Sequence, residues 1–307
     1  MSAVLPAPTD TATWAAMGTT VTVQVNGPTA LVAGARGRLD ELERAWSRFR
    51  PDSDISRLNA TRGLPVFVSS DTRLLVRHGV EAWRTTGGLC DPSVLDAVIA
   101  AGYDRTFCEI SAGSADVERV TGVAVPGCAG IVIDDDLGCV TLPVGVGFDP
   151  GGIGKGLAAD IVADWLLDHG ADGAFVSVGG DIRMVGEPGV GDGWLIDVRP
   201  SPDEKRMVRV AVSCGAIACS TTQRRRWTVG DEVRHHAIDP RTGRPAITDA
   251  ATVAVIAGDA WWAEAMATEL LLTLREDRPR LVGSGAAVVL TRDGDLELLG
   301  TMKDYLR

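Results

Sequence analysis

His235 and His236 are two of only four histidines in the chain, and they open the run His235-His236-Ala237-Ile238-Asp239-Pro240-Arg241-Thr242-Gly243-Arg244-Pro245. An imidazole accepts a proton from a hydroxyl near neutral pH, and arginines such as Arg241 and Arg244 can hold phosphate oxygens. The same run also reads as a Pro- and Gly-rich turn whose Asp239 and Arg241 tie down their own backbone. Further on, Glu264 and Thr268 stand four apart in Ala263-Glu264-Ala265-Met266-Ala267-Thr268, so on a helix they share a face. A carboxylate among small apolar residues costs free energy unless it is paired, and a carboxylate with a hydroxyl suits a hard cation. A solvated helix face is the plainer account of that pair.

A third candidate is Phe148-Asp149-Pro150-Gly151-Gly152-Ile153-Gly154-Lys155-Gly156. Glycines at 152, 154 and 156 just before a helix let backbone approach a bound group, free N–H groups at the helix start suit a phosphate, and Lys155 adds a full charge. The run is not a P-loop, because Gly156 follows the lysine where Ser or Thr is needed, and its spacing does not fit G-x-G-x-x-G. A tight strand-to-helix turn accounts for the glycines equally well. Val178-Gly179-Gly180-Asp181-Ile182 reads first as a hairpin turn. Arg224-Arg225-Arg226 could face phosphate, although charge runs are usually solvated.

These residues need elements to hold them. Thr19 to Val25 alternates polar and apolar and reads as a strand. Helical periodicity runs through Thr29 to Phe49, and again through Asp71 to Thr86, with Asp71 as the cap and Gly87-Gly88 as the stop. A helix over Leu157 to Asp168 follows the glycine turn. Strands are expected at Ala174 to Val178, Trp194 to Val198, Met207 to Val212 and Val253 to Ala257, then a helix from Ala260 to Leu274. Ala286 to Leu290 and Leu296 to Leu299 form a closing pair. Strands cluster with inserted helices instead of alternating regularly, which predicts an α+β fold.

The chain of 307 residues carries a formal net charge of -11, and that surplus repels duplex nucleic acid. Six cysteines are diluted through the chain without a C-x-x-C pair, and read as small core residues in a reducing compartment. MSAVLPAPTDTATW lacks the basic and apolar regions of a signal peptide, and Leu281 to Leu290 is too short to span a bilayer. These features predict a cytoplasmic protein without a membrane anchor.

Together and in this order, the segments resemble the ApbE family, the FAD:protein FMN transferases. The matching stretches are Met17-Gly18-Thr19, Phe49 through Asn59, Asp91-Pro92, Asp149 through Gly156, Val178 through Ile182, His236 through Pro245 and Ala263 through Thr268. The resemblance implies an ApbE-like, T-fold-related arrangement of mixed and antiparallel sheets with packed helices. It implies one domain over residues 17–307 after a flexible N-terminal extension, 1–16. Met17 and Phe49 would pack on the isoalloxazine. Asp91, Asp149, Lys155, Gly180, Asp181 and Ile238 would bind FAD, the substrate. The Gly152 carbonyl, Glu264 and Thr268 would hold Mg2+, and His236 would be the catalytic base. The partner implied is an acceptor flavoprotein with a Thr or Ser to modify; a homodimer is left open.

The chain departs from the family pattern at several points. Glu264 replaces the usual aspartate, Phe49 a tyrosine, Gly154 a common alanine and Cys90 a common phenylalanine, while Cys219-Ser220-Thr221 replaces Thr-Ser-Gly. Two other readings are compatible with the same residues: an FAD pyrophosphatase with no protein acceptor, and an FAD-binding module without chemistry. A nicotinamide dehydrogenase lacks its fingerprint here.

Overall fold

Alternation in Thr19–Asn26 puts Val21, Val23 and Val25 on one face, and all three are buried. In the computed structural model, which describes residues 9–111, 122–189, 193–199, 207–274 and 285–307, this strand is the second of eight in one sheet. The spatial order is Thr9–Ala16, Thr19–Asn26, Gly173–Val178, Asp181–Gly186, Gly215–Thr221, Ala250–Ala257, Ala286–Thr291 and Leu296–Gly300. Every neighbouring pair is antiparallel. The strands follow chain order, with helices carried on the connections, so the α+β reading holds.

One face of the sheet is covered by helices. Leu39, Leu42 and Trp46 of the Leu31–Trp46 helix meet Leu157, Val162 and Leu166 of the Gly154–Asp168 helix over Val23, Val176 and Val178. On a second core Trp194, Ile196, Val210 and Val212 of the Trp194–Val198 and Val208–Val212 hairpin pack with Met184, Ile256 and Val288 of the sheet. The Ala260–Thr273 helix is apolar nearly all round and lies against Val253, Val255 and Val289.

Three expectations are corrected. Thr9–Ala16 is not a loose extension; it pairs residue by residue with Thr19–Asn26 across eight positions, because Trp14 and its neighbours alternate like a strand. Residues 1–8 lie outside the described ones. The Ser70–Thr85 helix is capped by Ser69, whose hydroxyl accepts from the Thr72 N–H, while Asp71 is bound by Arg38 at 2.7 Å. Finally, Cys90, Cys128 and Cys139 are buried, but Cys108, Cys214 and Cys219 are exposed.

Of the apolar stretch Leu281 to Leu290, residues 281–284 lie outside the described residues, and 286–290 belong to the Ala286–Thr291 strand. Among the described residues no helix is long and apolar enough to cross a membrane.

Candidate active site

Two Asp-Pro steps build the floor of the site in the same way. Asp91 and Asp149 each cap a one-turn 3-10 helix, Pro92–Val94 and Pro150–Gly152, with proline supplying the preset φ at the first position. The Asp91 carboxylate accepts from Ser93 N–H at 2.8 Å, and Asp149 from Gly151 N–H at 2.8 Å. The Asp149 N–H donates to the Pro92 carbonyl at 2.7 Å, so the two turns are fastened side by side. Burial raises the Asp91 pKa.

The Gly154–Asp168 helix then starts directly after this turn. A Cβ at Gly156 would stand 2.5 Å from the Ala260 carbonyl, so this glycine serves close packing on the Ala260–Thr273 helix. Asp160, one turn on, accepts from the Ala260 and Trp261 N–H groups at 2.8 and 2.9 Å and caps that helix from outside. Burial lifts the Asp160 carboxyl to about 7.

This docking brings Glu264 to Lys155. Glu264 is 3% exposed, which rules out the solvated-face account. Its Oε1 is bound by the Lys155 ammonium and its Oε2 accepts the Gly156 N–H at 2.9 Å. Lys155 also meets Asp181 Oδ2 at 2.9 Å. Burial works against the Lys155 charge, but Asp181 and then Glu264 outweigh it and raise the pKa. Burial pushes the Glu264 carboxyl upward against the pull of Lys155. Thr268 Oγ1 donates to the Glu264 carbonyl at 3.1 Å and lies 3.2 Å from Ser220 Oγ.

Lys155, Ser220, Glu264 and Thr268 line one cavity of about 1060 Å3, with Met17, Phe49, Asp91, Asp149, Gly152, Gly180, His236 and Ile238. Met17 and Gly18 form a two-residue turn with φ of 51° and 66°, closed by the Ala16–Thr19 pair. A methionine in the left-handed region costs about 1 kcal/mol or more, tolerated here at the cavity wall. Gly179 and Gly180 form the matching hairpin turn, φ 68° and 103°. The hairpin reading of these glycines holds, and the turn lines the cavity.

His236 is half-buried, and its Nδ1 has no partner among the described residues. Burial first, then the charge of Arg225, pushes its pKa down to about 3, so the ring is neutral at physiological pH.

One placement is corrected. Asp181 is 1% exposed and does not line the cavity; it stands behind Lys155 and accepts from the Cys219 N–H at 3.2 Å. Its strand turns inward immediately after Gly180, and its carboxylate holds the Lys155 ammonium.

Two lining residues, Arg48 and Tyr103, escaped the sequence reading. Arg48 lies 4.3 Å over Phe49 and 4.5 Å over Tyr103, with Nε 3.5 Å from Asp149. Tyr103 is buried and accepts from Arg225 Nη1 at 3.0 Å. Of the arginine run read as able to face phosphate, Arg224 and Arg225 face the cavity and Arg226 does not.

The donor set was tested against a hard divalent cation. The Gly152 carbonyl, Glu264 and Thr268 bring three oxygens to one cavity. Two carboxylates, Asp181 and Glu264, face a single ammonium there, leaving local negative charge. Mg2+ uses few protein oxygens and keeps water or phosphate, so these residues fit it. Binding at Glu264 would exchange with the Lys155 ammonium. No group of three or more His, Cys, Asp or Glu able to hold a metal occurs among the described residues.

Fold and cavity thus define an antiparallel α+β protein holding a nucleotide-sized site beside a neutral histidine. A profile of the ApbE family matches residues 17–290, and the chain belongs to that family. The FAD:protein FMN transferase of Vibrio cholerae is 29% identical over 264 residues, 83% of this chain and 78% of that one. Its Escherichia coli K12 namesake is 32% identical over 147 residues, 47% and 42% of the two chains. Among solved structures, the ApbE protein of Thermotoga maritima gives a TM-score of 0.84 at 24% identity, covering 98% of this chain and 100% of that one. The flavin transferase ApbE from Vibrio cholerae gives 0.74 at 25% identity, with the same coverage.

Proposed function

We propose that this chain transfers the FMN half of FAD to a Thr or Ser hydroxyl of an acceptor flavoprotein, releasing AMP, with Mg2+ as cofactor. The observation that supports this most is the meeting of His236, Lys155 and the oxygens of Gly152, Glu264 and Thr268 in one cavity with Met17 and Phe49. Relatives that carry the name FAD:protein FMN transferase support it independently.

Met17 and Phe49 offer apolar surface for the isoalloxazine, and Phe49, 37% exposed, has a free face for a ring. Lys155 places its charge beside the diphosphate. Mg2+ held by Gly152, Glu264 and Thr268 would supply charge neutralisation on the diphosphate oxygens. His236 takes the proton of the acceptor hydroxyl as the new phosphoester forms and the diphosphate bond to AMP breaks. Arg225 and Lys155 disfavour a charged ring, and the two negative charges of FAD offset them. The base therefore becomes effective only with substrate in place.

Incubation with FAD, Mg2+ and an acceptor is expected to leave a fluorescent acceptor band on a denaturing gel. His236→Ala is expected to lower that labelling by about 100-fold or more, the range of a lost general base, and to leave FAD affinity within a few fold. Full labelling by the variant removes His236 from this role. With water in place of the hydroxyl the same groups give FMN and AMP, and free FMN appearing without acceptor marks that outcome.

A further inference from the structure

A second cavity, of about 960 Å3, lies on the other side of the histidine pair. His235 and His236 are neighbours in sequence, yet His236 lines the first cavity and His235 the second. The two spaces share Gln223. Arg226, Arg234, Arg244 and Arg292 all line the second one.

Its two acidic residues are already engaged. Arg234 donates to Glu232 Oε2 at 3.1 and 2.8 Å, and the Asp239 carboxylate is held by Arg241 at 3.0 Å. No carboxylate pairs with the side chains of Arg226, Arg244 or Arg292 among the described residues. The chain has 41 acidic residues against 30 basic ones, so three guanidiniums around one cavity without a carboxylate partner among the described residues run against the overall charge.

At the wall of this cavity is a buried imidazole with one ring nitrogen unpaired among the described residues. His235 is 7% exposed, and its ring nitrogen Nε2 lies 3.1 Å from the Ala246 carbonyl, which can only accept. Nε2 therefore carries the hydrogen, and the bare Nδ1 has no partner among the described residues. Arg226 is the cross-strand partner of His235 in the Arg226–Val229 and Glu232–His235 hairpin. Burial, opposed by the Ala246 bond and then aided by the charges of Arg292 and Arg226, sets the His235 pKa below its ordinary value.

We propose that this cavity binds a phosphate-class oxyanion, gripped by the planar forks of Arg226, Arg244 and Arg292 beside His235. Guanidinium forks match the oxygen spacing of phosphate and give strong, charge-assisted bonds. The volume admits a phosphate ester of nucleotide size as well as free phosphate. The inference goes beyond the flavin-transfer reading and does not depend on it, since none of the three arginines lines the flavin cavity.

The test uses the full chain saturated with FAD in EDTA, so that the flavin cavity is filled and no metal is present. Inorganic phosphate and AMP are titrated separately by calorimetry at constant ionic strength set with chloride. Saturable 1:1 binding is expected, weakened about tenfold or more in Arg226→Gln with Arg292→Gln, the loss of two charge-assisted donors. FAD affinity is expected to stay unchanged. Equal affinity for both probes assigns free phosphate as the ligand, and tighter AMP binding assigns a nucleotide. Arg292→Gln alone, a change at an exposed side chain, serves if the double variant does not fold, with a loss of a few fold expected. Absence of saturable phosphate binding, equal binding by the variants, or displacement of AMP by excess FAD overturns the proposal.

Discussion

At His236, charge and burial act in the same direction. The ring is half-buried and stands among Arg225, His235 and Lys155, so burial and charge together disfavour protonation and outweigh the backbone hydrogen bond at Arg224. On unfolding, the ring regains its ordinary value of 6.5 and takes up a proton anywhere between about 3 and 6.5. Its contribution to stability is therefore complete above pH 6.5 and is lost as pH falls toward 3. In the FAD-free protein the His236 ring signals are expected to stay constant between about pH 5 and 8 in an NMR titration. An inflection near 6.5 assigned to His236 contradicts this account. Lys155 illustrates the opposite balance, because its two carboxylate neighbours keep it charged in spite of burial.

At the level of elements, the site depends on how one helix sits on another. Gly156 permits the Gly154–Asp168 helix to touch the first turn of the Ala260–Thr273 helix, and Asp160 caps that turn with two hydrogen bonds. Asp259, at the N-cap position itself, makes no side-chain cap bond, so the outside carboxylate takes that role. Glu264 and Thr268 are one and two turns further along, and any shift at Ala260 moves both. Gly156→Ala puts a methyl against backbone, which cannot rotate away, and is expected to cost about 1–3 kcal/mol. Chemical denaturation reads that loss, and FAD titration with Mg2+ should show weakened binding in the same variant. Unchanged values for both would mean that the helix contact is looser than 2.5 Å implies.

Across the whole molecule, the eight-stranded sheet ends at Thr9–Ala16, and this edge strand carries the turn that presents Met17. Deleting residues 1–16 removes eight residue pairs and frees Met17, so a lower unfolding midpoint and weaker FAD binding are expected together. A truncated chain that melts and binds like the full one would return this segment to the status of an extension. Much of the fold was legible in local pattern: the strand 19–25, the helix from Ala260 and the closing pair 286–299 fall within a few residues of their observed bounds. Motif order also located Met17, Phe49, Asp91, Asp149, Lys155, Glu264, Thr268 and His236, which all reach one cavity. The first strand was missed because its pattern gains meaning only against the partner strand. Arg48 and Tyr103 were missed because a cation stacked on two rings leaves no spacing in sequence. By itself, then, the amino-acid order determined which elements form and which side chains are available, since helix and strand periods and turn glycines are local properties. Only the tertiary structure decided that Glu264 is buried against Lys155, that Asp181 stands behind it, and that adjacent histidines face separate cavities. Those outcomes follow from burial and charge between residues as much as 109 positions apart, and no local rule contains them.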